Sequence, residues 1–334
     1  MPGRVTMAHV AREASVSLMT VSRVINSKEG VSQATRERVQ AVIERLGYRP
    51  SDIARGLVTK RTGTLGLVIP DVSNPFFAEV ARGAEHIAYD AGYNVFLCNT
   101  GEDTQRELEV LQSLEEKRVD GIVVCSSRLE ESALEEAVAG HLAAVLVNRR
   151  LESDDVGIVL IDDMVGGQMT TNHLLQAGHR AIGYLAGPPA SRSGRWRAEG
   201  YRAALKAAGV DHNPDWVRHC LPVVEGGRET TRELLSACPE LTALFCYNDL
   251  VAIGALQACA DLGRRVPDDV AIVGFDDIPL AALVSPALTT CLVPRYDLGS
   301  AAMRLLLDKI NSCASEACGE IIFQPKLVVR ASAP

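Results

Sequence analysis

A chain of 334 residues has the length of about two domains and ample material for sizeable cores. With 47% hydrophobic and 23% charged residues, and no run near the ~20 apolar residues of a membrane span, it reads as a soluble globular protein. Charge is segregated: residues 1–60 hold ten Lys/Arg against five Asp/Glu, net +5, while the whole chain is −8 and the rest therefore −13. A basic head on an acidic body fits a head that meets phosphates while the body is repelled from them, although chance segregation gives the same numbers. The nine cysteines are scattered, odd in number and without a CxxC pair. They suit small buried hydrophobes in a reducing compartment, so no metal or other cofactor is expected. Met1-Pro2-Gly3-Arg4 leads into a polar helix rather than a secretory signal, and the expected address is the cytoplasm.

Residues 5–26 predict two short helices around a polar break. Val10, Ala11 and Ala14 stripe the first, and Val21, Val24 and Ile25 the second. Ser17 is placed to cap the second helix, and the small Ala11 and Ala14 allow a close crossing. This is the build of a helix-turn-helix, whose second helix enters the DNA major groove; an ordinary helical hairpin has the same pattern. Ser32 begins a third helix that runs to about Leu46, and Gly47 follows at the position that favours a left-handed residue. Residues 50–61 read as a basic linker, helical only when something holds it, because Gly56 and its short length both weaken a helix.

From Thr64 the texture changes to near-continuous apolar runs alternating with amphipathic stretches. Strands are predicted at 65–70, 94–98, 121–125, 144–147, 156–161, 181–185, 217–221, 244–246 and 270–275, with helices between them. Such runs indicate parallel sheets covered on both faces. The pattern occurs twice, which suggests two lobes and a cleft, with ligand groups just beyond strand ends. Asp71, Asn74, Phe76, Phe77, Asn148, Arg149, Ser191, Ser193, Arg197, Asn248, Asp249, Asp276 and Asp277 share that position. Amides, hydroxyls, carboxylates, a guanidinium and aromatic faces suit a polyhydroxylated ligand. No GxGxxG after a strand, P-loop, GxSxG or HExxH is present, so no catalytic residues are assigned and an enzyme is not expected.

With these pieces assembled, the chain resembles the lac-repressor (LacI/GalR) family of bacterial transcription regulators over essentially its full length. The resemblance is carried by Val5-Thr6, Val10-Ala11, Val16-Ser17, Thr20 to Asn26, Gly47-Tyr48-Arg49-Pro50 and Ala54-Arg55-Gly56-Leu57. Further along it is carried by Asn74-Pro75-Phe76-Phe77, Val119-Asp120-Gly121-Ile122, Asn248-Asp249, Gly274-Phe275-Asp276-Asp277 and Pro286 to Thr290. It implies an all-α helix-turn-helix headpiece at 1–49 and a hinge helix at 50–61. It also implies a two-lobed α/β body at 62–334, doubly wound on parallel sheets like periplasmic sugar-binding proteins. Lobe one would span about 62–161 and 293–318, and lobe two about 162–290 and 320–330.

The resemblance further implies partners: double-stranded operator DNA, a small effector (most readily a sugar), and a second copy of the chain, with no membrane. Leu18, Met19 and Arg23 would face base edges, Arg23 by paired hydrogen bonds to guanine and the other two by apolar contacts. Thr6, Ser17, Thr20, Ser22 and Asn26 would meet phosphates, and Ala54, Arg55 and Leu57 the minor groove, with Leu57 as wedge. Asn74, Phe76, Phe77, Asn148, Ser191, Ser193, Arg197, Asn248 and Asp276 would form the effector pocket. Pro222 stands where well-known members place an aromatic residue. The sequence shows no terminal heptad extension, so a dimer rather than a tetramer is expected. Competing classes are a sugar-binding protein or enzyme with an idle headpiece, a regulator of purine or other metabolite type, and a ligand-independent DNA binder.

Overall fold

The computed structural model describes residues 5–26, 28–48, 61–153, 155–311 and 319–334. The expected hinge residues Ala54, Arg55 and Leu57 lie outside them. The chain divides into two compact units, Met1–Gly63 and Thr64–Pro334.

In the first unit, α1 (Met7–Glu13), α2 (Leu18–Ile25) and α3 (Gln33–Leu46) enclose one small core of Val10, Ala11, Ala14, Val21, Val24, Val39, Val42 and Tyr48. Val10, Val21 and Val39 are fully buried. Each contributes about 1.5–3 kcal/mol, a large share of the stability of so small a unit. Ser17 and Ser32 cap α2 and α3, accepting from the Thr20 and Thr35 N–H groups at 3.1 and 3.3 Å. Ser15 turns the chain between α1 and α2 with φ +52, and Gly47 closes α3 in the left-handed region at φ +60. Both ends therefore fall where the capping chemistry of the sequence puts them.

The second unit contains two six-stranded sheets. The first has β1 (Thr64–Ile69), β2 (Asn94–Asn99), β3 (Gly121–Cys125), β4 (Ala144–Val147), β5 (Val156–Ile161) and β11 (Glu320–Phe323), in the order β11-β5-β4-β3-β1-β2. The second has β6 (Ile182–Ala186), β7 (Val217–His219), β8 (Ala243–Cys246), β9 (Ala271–Asp276), β10 (Thr289–Leu292) and β12 (Lys326–Val328), in the order β12-β10-β9-β8-β6-β7. Every strand pair is parallel except β10 with β12. β3, β4, β8 and β9 are buried along their whole length, which is why their sequences are unbroken apolar runs instead of alternating ones.

Helices cover both sheets. On the first lie α4 (Pro75–Asp90), α5 (Thr104–Glu116), α6 (Glu131–Ala139) and α11 (Arg295–Asn311). With the second sheet go α7 (Asp163–Gln176), α8 (Arg192–Ala207), α9 (Val224–Ala237) and α10 (Asp249–Asp261). The chain passes between sheets after β5, after β10 and after β11, so the two lobes are joined three times. One expected boundary is corrected. Residues 320–323 do not belong to lobe two: β11 pairs with β5, Glu320 opposite Ile158 and Phe323 opposite Ile161. Its half-exposed Glu-Ile-Ile-Phe sequence suits an edge strand on the open side of β5, and only Lys326–Val328 returns to the second sheet.

Helices α7 and α8 touch through glycine. A Cβ on Gly167 would collide with the Arg197 carbonyl oxygen, and one on Gly200 with that of Met164. The same reciprocal contact joins α4 to α11 at Gly83 and Gly299, and α9 to α10 at Gly227 and Gly254. Backbones can approach this closely only where no side chain intervenes.

Candidate functional site

On the first unit, α2 buries Val21 and Val24 and turns Leu18 and Met19 outward, at 53% and 66% exposure. Large apolar side chains left this open on a small helix suit a covering partner. Arg23 is exposed on the same helix, and Ser17 and Asn26 flank it at its two ends. Ser17 Oγ lies 2.9 Å from Thr20 Oγ1, and Asn26 Nδ2 donates to the Ser22 carbonyl at 2.9 Å. Thr6 caps α1, its N–H donating to His9 Nδ1 at 3.3 Å. One helix thus presents a guanidinium and two apolar side chains between hydroxyl and amide groups, the equipment for base edges and phosphates respectively.

In the second unit, eight of the nine expected effector residues come together in one pocket between the lobes: Asn74, Phe76, Phe77, Asn148, Ser193, Arg197, Asn248 and Asp276. Ser191 does not line it. Its buried Oγ accepts from Gly194 N–H at 3.1 Å as the cap of α8 and lies 3.0 Å from the Tyr247 hydroxyl. Asn74 and Asn248 cap α4 and α10, accepting from Phe76 and Val251 N–H groups at 2.9 Å. Capping leaves the Asn248 amide free to donate to the Pro222 carbonyl at 3.3 Å. Phe76 and Phe77 meet edge to face with centroids 5.0 Å apart.

Arg197 is the hub on the lobe-two wall. It donates to Asp163 Oδ1 at 2.8 Å and to the Tyr247 carbonyl at 2.6 Å, and its Nη2 lies 3.8 Å from Asp276 Oδ1. Its guanidinium carbon sits 3.6 Å from the centre of the Phe275 ring. Burial works against this charge, but Asp163, Asp276 and Tyr247 outweigh it and hold Arg197 above its ordinary value. Burial pushes Asp276 up to about 7, against the pull of Arg197 and Arg295 and with Asp163 adding to the rise. Asp249, expected beside Asn248, faces inward instead. It accepts from Ile278 N–H at 2.8 Å and Thr290 Oγ1 at 2.5 Å, and burial raises it well above the usual carboxylate range. Asp277 pairs with Arg330 at 2.7 Å, away from the pocket.

Four residues of this pocket escaped the sequence reading: Glu102, Ser126, Arg128 and Tyr247. They follow β2, β3 and β8, so the strand-end rule would have found them had it been applied to every strand. Arg128 is buried and paired with Glu102, its Nη2 donating to Oε1 at 3.0 Å. Burial opposes that charge, while Tyr247 from the other lobe and Glu102 favour it. Tyr247 and Pro222 also line the pocket, with the Arg197 guanidinium carbon 5.2 Å from the centre of the Tyr247 ring. Backbone strain marks the place as well: Glu102, Ser126, Asn148 and Asp276 all have positive φ, from +50 to +109. Non-glycine residues hold such conformations only where the surroundings over-determine them, and they cluster where ligands bind.

In this arrangement of the lobes the pocket has room of about 30 Å³, the share of one water in the liquid. A sugar enters only if the lobes part. Among the described residues, no group of three or more His, Cys, Asp or Glu side chains is placed to hold a metal ion. No helix among them is long and apolar enough to cross a membrane.

Comparison with known proteins agrees with this architecture. Residues 6–51 match the bacterial regulatory proteins of the lacI family, and residues 62–326 match the periplasmic binding proteins and sugar-binding domain of the LacI family. The chain is 38% identical over 309 residues to a ribose operon repressor of Halalkalibacterium halodurans, covering 92% of this chain and 90% of the relative. The structure of the lac repressor dimer bound to operator and the anti-inducer ONPF superposes with a TM-score of 0.86, at 26% identity and 99% coverage of both chains. A LacI family transcriptional regulator from Enterococcus faecium with bound ribose gives 0.72, at 30% identity, covering 81% of this chain and 98% of that one. A helix-turn-helix unit followed by two parallel-sheet lobes around a polar pocket, matched by the two family models and over 81–99% of its length by these proteins, makes the chain a member of the LacI family of bacterial transcriptional regulators.

Proposed function

We propose that the protein is a cytoplasmic, homodimeric repressor whose operator affinity is set by a neutral sugar held between its lobes. The observation that carries the sugar reading is the charge arrangement of the pocket. Each of its two guanidiniums already has carboxylate partners, Arg128 with Glu102 and Arg197 with Asp163 and Asp276. Neither is left to hold an anion, while amides, a serine hydroxyl and aromatic faces remain for hydroxyls and C–H groups. The ribose bound to the Enterococcus faecium relative and the operon named for the Halalkalibacterium halodurans one support the same class.

The reader of DNA is α2, with Arg23 as its strong hydrogen-bonding residue and Leu18 and Met19 as apolar contacts. Two-fold pairing is supported by apolar side chains left open on both lobes. Phe96 and Leu97 lie on the edge strand β2, and Leu221 and Leu283 on lobe two. A dimer places two α2 helices one turn of duplex apart, as a palindromic operator requires. To move the operator from mostly bound to mostly free, effector binding must favour one state by about 5 kcal/mol.

The test is a titration of full-length protein into a labelled operator found by random-site selection, with and without sugars. Sequence-specific binding that one sugar changes is the expected result; no specific binding at moderate salt overturns the reading. Arg23→Ala should cost about 1–3 kcal/mol of discrimination between operator and random DNA, while salt-sensitive non-specific binding survives. Retained discrimination in that variant would move the reading surface elsewhere.

A further inference from the structure

Lobe one holds a separate cavity that shares no residue with the pocket between the lobes. It has room of about 360 Å³, within the ~300–1,000 Å³ of small-molecule sites. Its walls come from α6, the chain entering β4, the connection from β4 to β5, and α11. Val138, Leu142, Leu151 and Val156 make one side apolar, and Leu142 is 70% exposed there. The polar groups are Glu135, Ser153, Asp155 and Lys309.

The charges of this cavity are poorly matched among themselves. The Lys309 side chain is only 21% exposed, yet its ion-pair partner among the described residues is Asp155, at 3.9 Å and itself 88% exposed. That separation is too long for a hydrogen bond, and an ammonium so far withdrawn from water gains from an anion set directly against it. The Ser153 hydroxyl accepts from Asp155 N–H at 3.2 Å and keeps its own proton to donate. Glu135 has no ion pair among the described residues and lies one turn before Val138 and Ala139, so the three share a helix face. They lead to the C-terminal end of α6, where the last carbonyls carry partial negative charge. The His141 ring also lines the cavity, with Nε2 buried and unpartnered among the described residues. Burial lowers this ring against the pull of Glu115, so it adds no charge at neutral pH.

We propose that this cavity is a second metabolite site, which binds a free α-amino acid with a large apolar side chain. The carboxylate of the amino acid meets Lys309 and the Ser153 hydroxyl, and its ammonium meets Glu135 at the negative end of α6. Its side chain covers Val138, Leu142, Leu151 and Val156. The charge balance selects a zwitterion. Two carboxylates and one ammonium border the space, so a plain carboxylate meets surplus negative charge and a plain amine leaves Lys309 unmet. The connection from β4 to β5 begins at Asn148 in the sugar pocket and ends at Asp155 here, so both sites border the same short stretch of chain. The proposal rests on neither the sugar nor the operator reading.

The test is calorimetry and thermal melting of the full-length protein with L-leucine, L-valine and L-phenylalanine. Three further probes each lack one part: alanine the large side chain, leucinol the carboxylate, and isocaproate the ammonium. At least one of the three amino acids should bind and raise the melting temperature, with each cut-down probe about tenfold weaker or worse. Lys309→Gln and Glu135→Gln should each weaken that binding about tenfold. Glu135 is exposed, so its variant keeps the fold even if Lys309→Gln does not. No binding of any of the three amino acids overturns the proposal. So does leucinol or isocaproate binding as tightly as leucine, or an affinity unchanged in either variant. None of these outcomes touches the sugar reading, because no residue belongs to both sites.

Discussion

On the lobe-two wall of the pocket most polar groups already have partners. Arg197 spans Asp163, Asp276 and the Tyr247 carbonyl, and Asn248 both caps α10 and reaches the Pro222 carbonyl. The lobe-one wall differs. There Asn148 Oδ1, which lines the pocket, is buried without a hydrogen-bond partner among the described residues. A pre-satisfied wall can orient a ligand without rearranging. A wall with an unmet hydrogen bond gains it only when a ligand arrives, so that gain is specific to the closed, occupied state. That is the differential affinity a population shift requires. A buried unsatisfied group costs about 1–3 kcal/mol, so Asn148 alone supplies a useful part of the ~5 kcal/mol needed to switch the operator.

Mutations on the two walls should therefore differ in sign. The largest expected effect is on lobe two. Arg197→Ala strands the buried Asp163 and Asp276 and should destabilise the fold by about 3–5 kcal/mol in urea denaturation, besides removing effector binding. A loss within about 1 kcal/mol would mean that the two carboxylates have other support.

Next comes a pH response. Because burial lifts Asp276 from 3.8 to about 7, the folded chain holds a proton that the unfolded chain has released over that window. Stability should therefore be greatest below the lower value and fall as pH rises toward about 7, flattening above it. In Asp276→Asn that slope should shrink without vanishing, because burial raises Asp249 as well. Thermal melts of both proteins from pH 5 to pH 8 check the difference; parallel curves would show that Asp276 titrates normally. The charges acting on Asp276 are those of Arg197, Arg295 and Asp163, and Asp276 in turn raises the buried Asp249.

The smallest and most telling change is on lobe one. Asn148→Gly removes an orphaned acceptor and relieves φ +57, so it should raise the melting temperature slightly while weakening effector binding about tenfold. A variant that loses stability and affinity together would erase the distinction between the walls.

Much of this was legible beforehand. The unbroken apolar runs of β3, β4, β8 and β9 can only be doubly covered strands, and Ser17, Ser32, Asn74 and Asn248 each sit where a helix needs an acceptor. What was not legible depends on the third dimension. Glu102 and Arg128 look like two surface charges until the sheet places the ends of β2 and β3 on one side of the cleft. Ser191 and Ser193 look alike in sequence, yet only Ser193 reaches the pocket, because capping α8 turns the Ser191 hydroxyl the other way. The edge strand β11 carries too little hydrophobic contrast to declare its partner, and only pairing with β5 reveals it.

The glycine contact between α7 and α8 acts as a caliper. Asp163 opens one helix and Ser193 and Arg197 ride on the other, so the gap at Gly167 and Gly200 fixes how far apart these groups stand. A genetic search for proteins that still bind operator but no longer answer their effector should therefore return methyl-sized insults at Gly167 and Gly200. Neither glycine lines the pocket, and neither need touch the sugar for the cell to lose the signal.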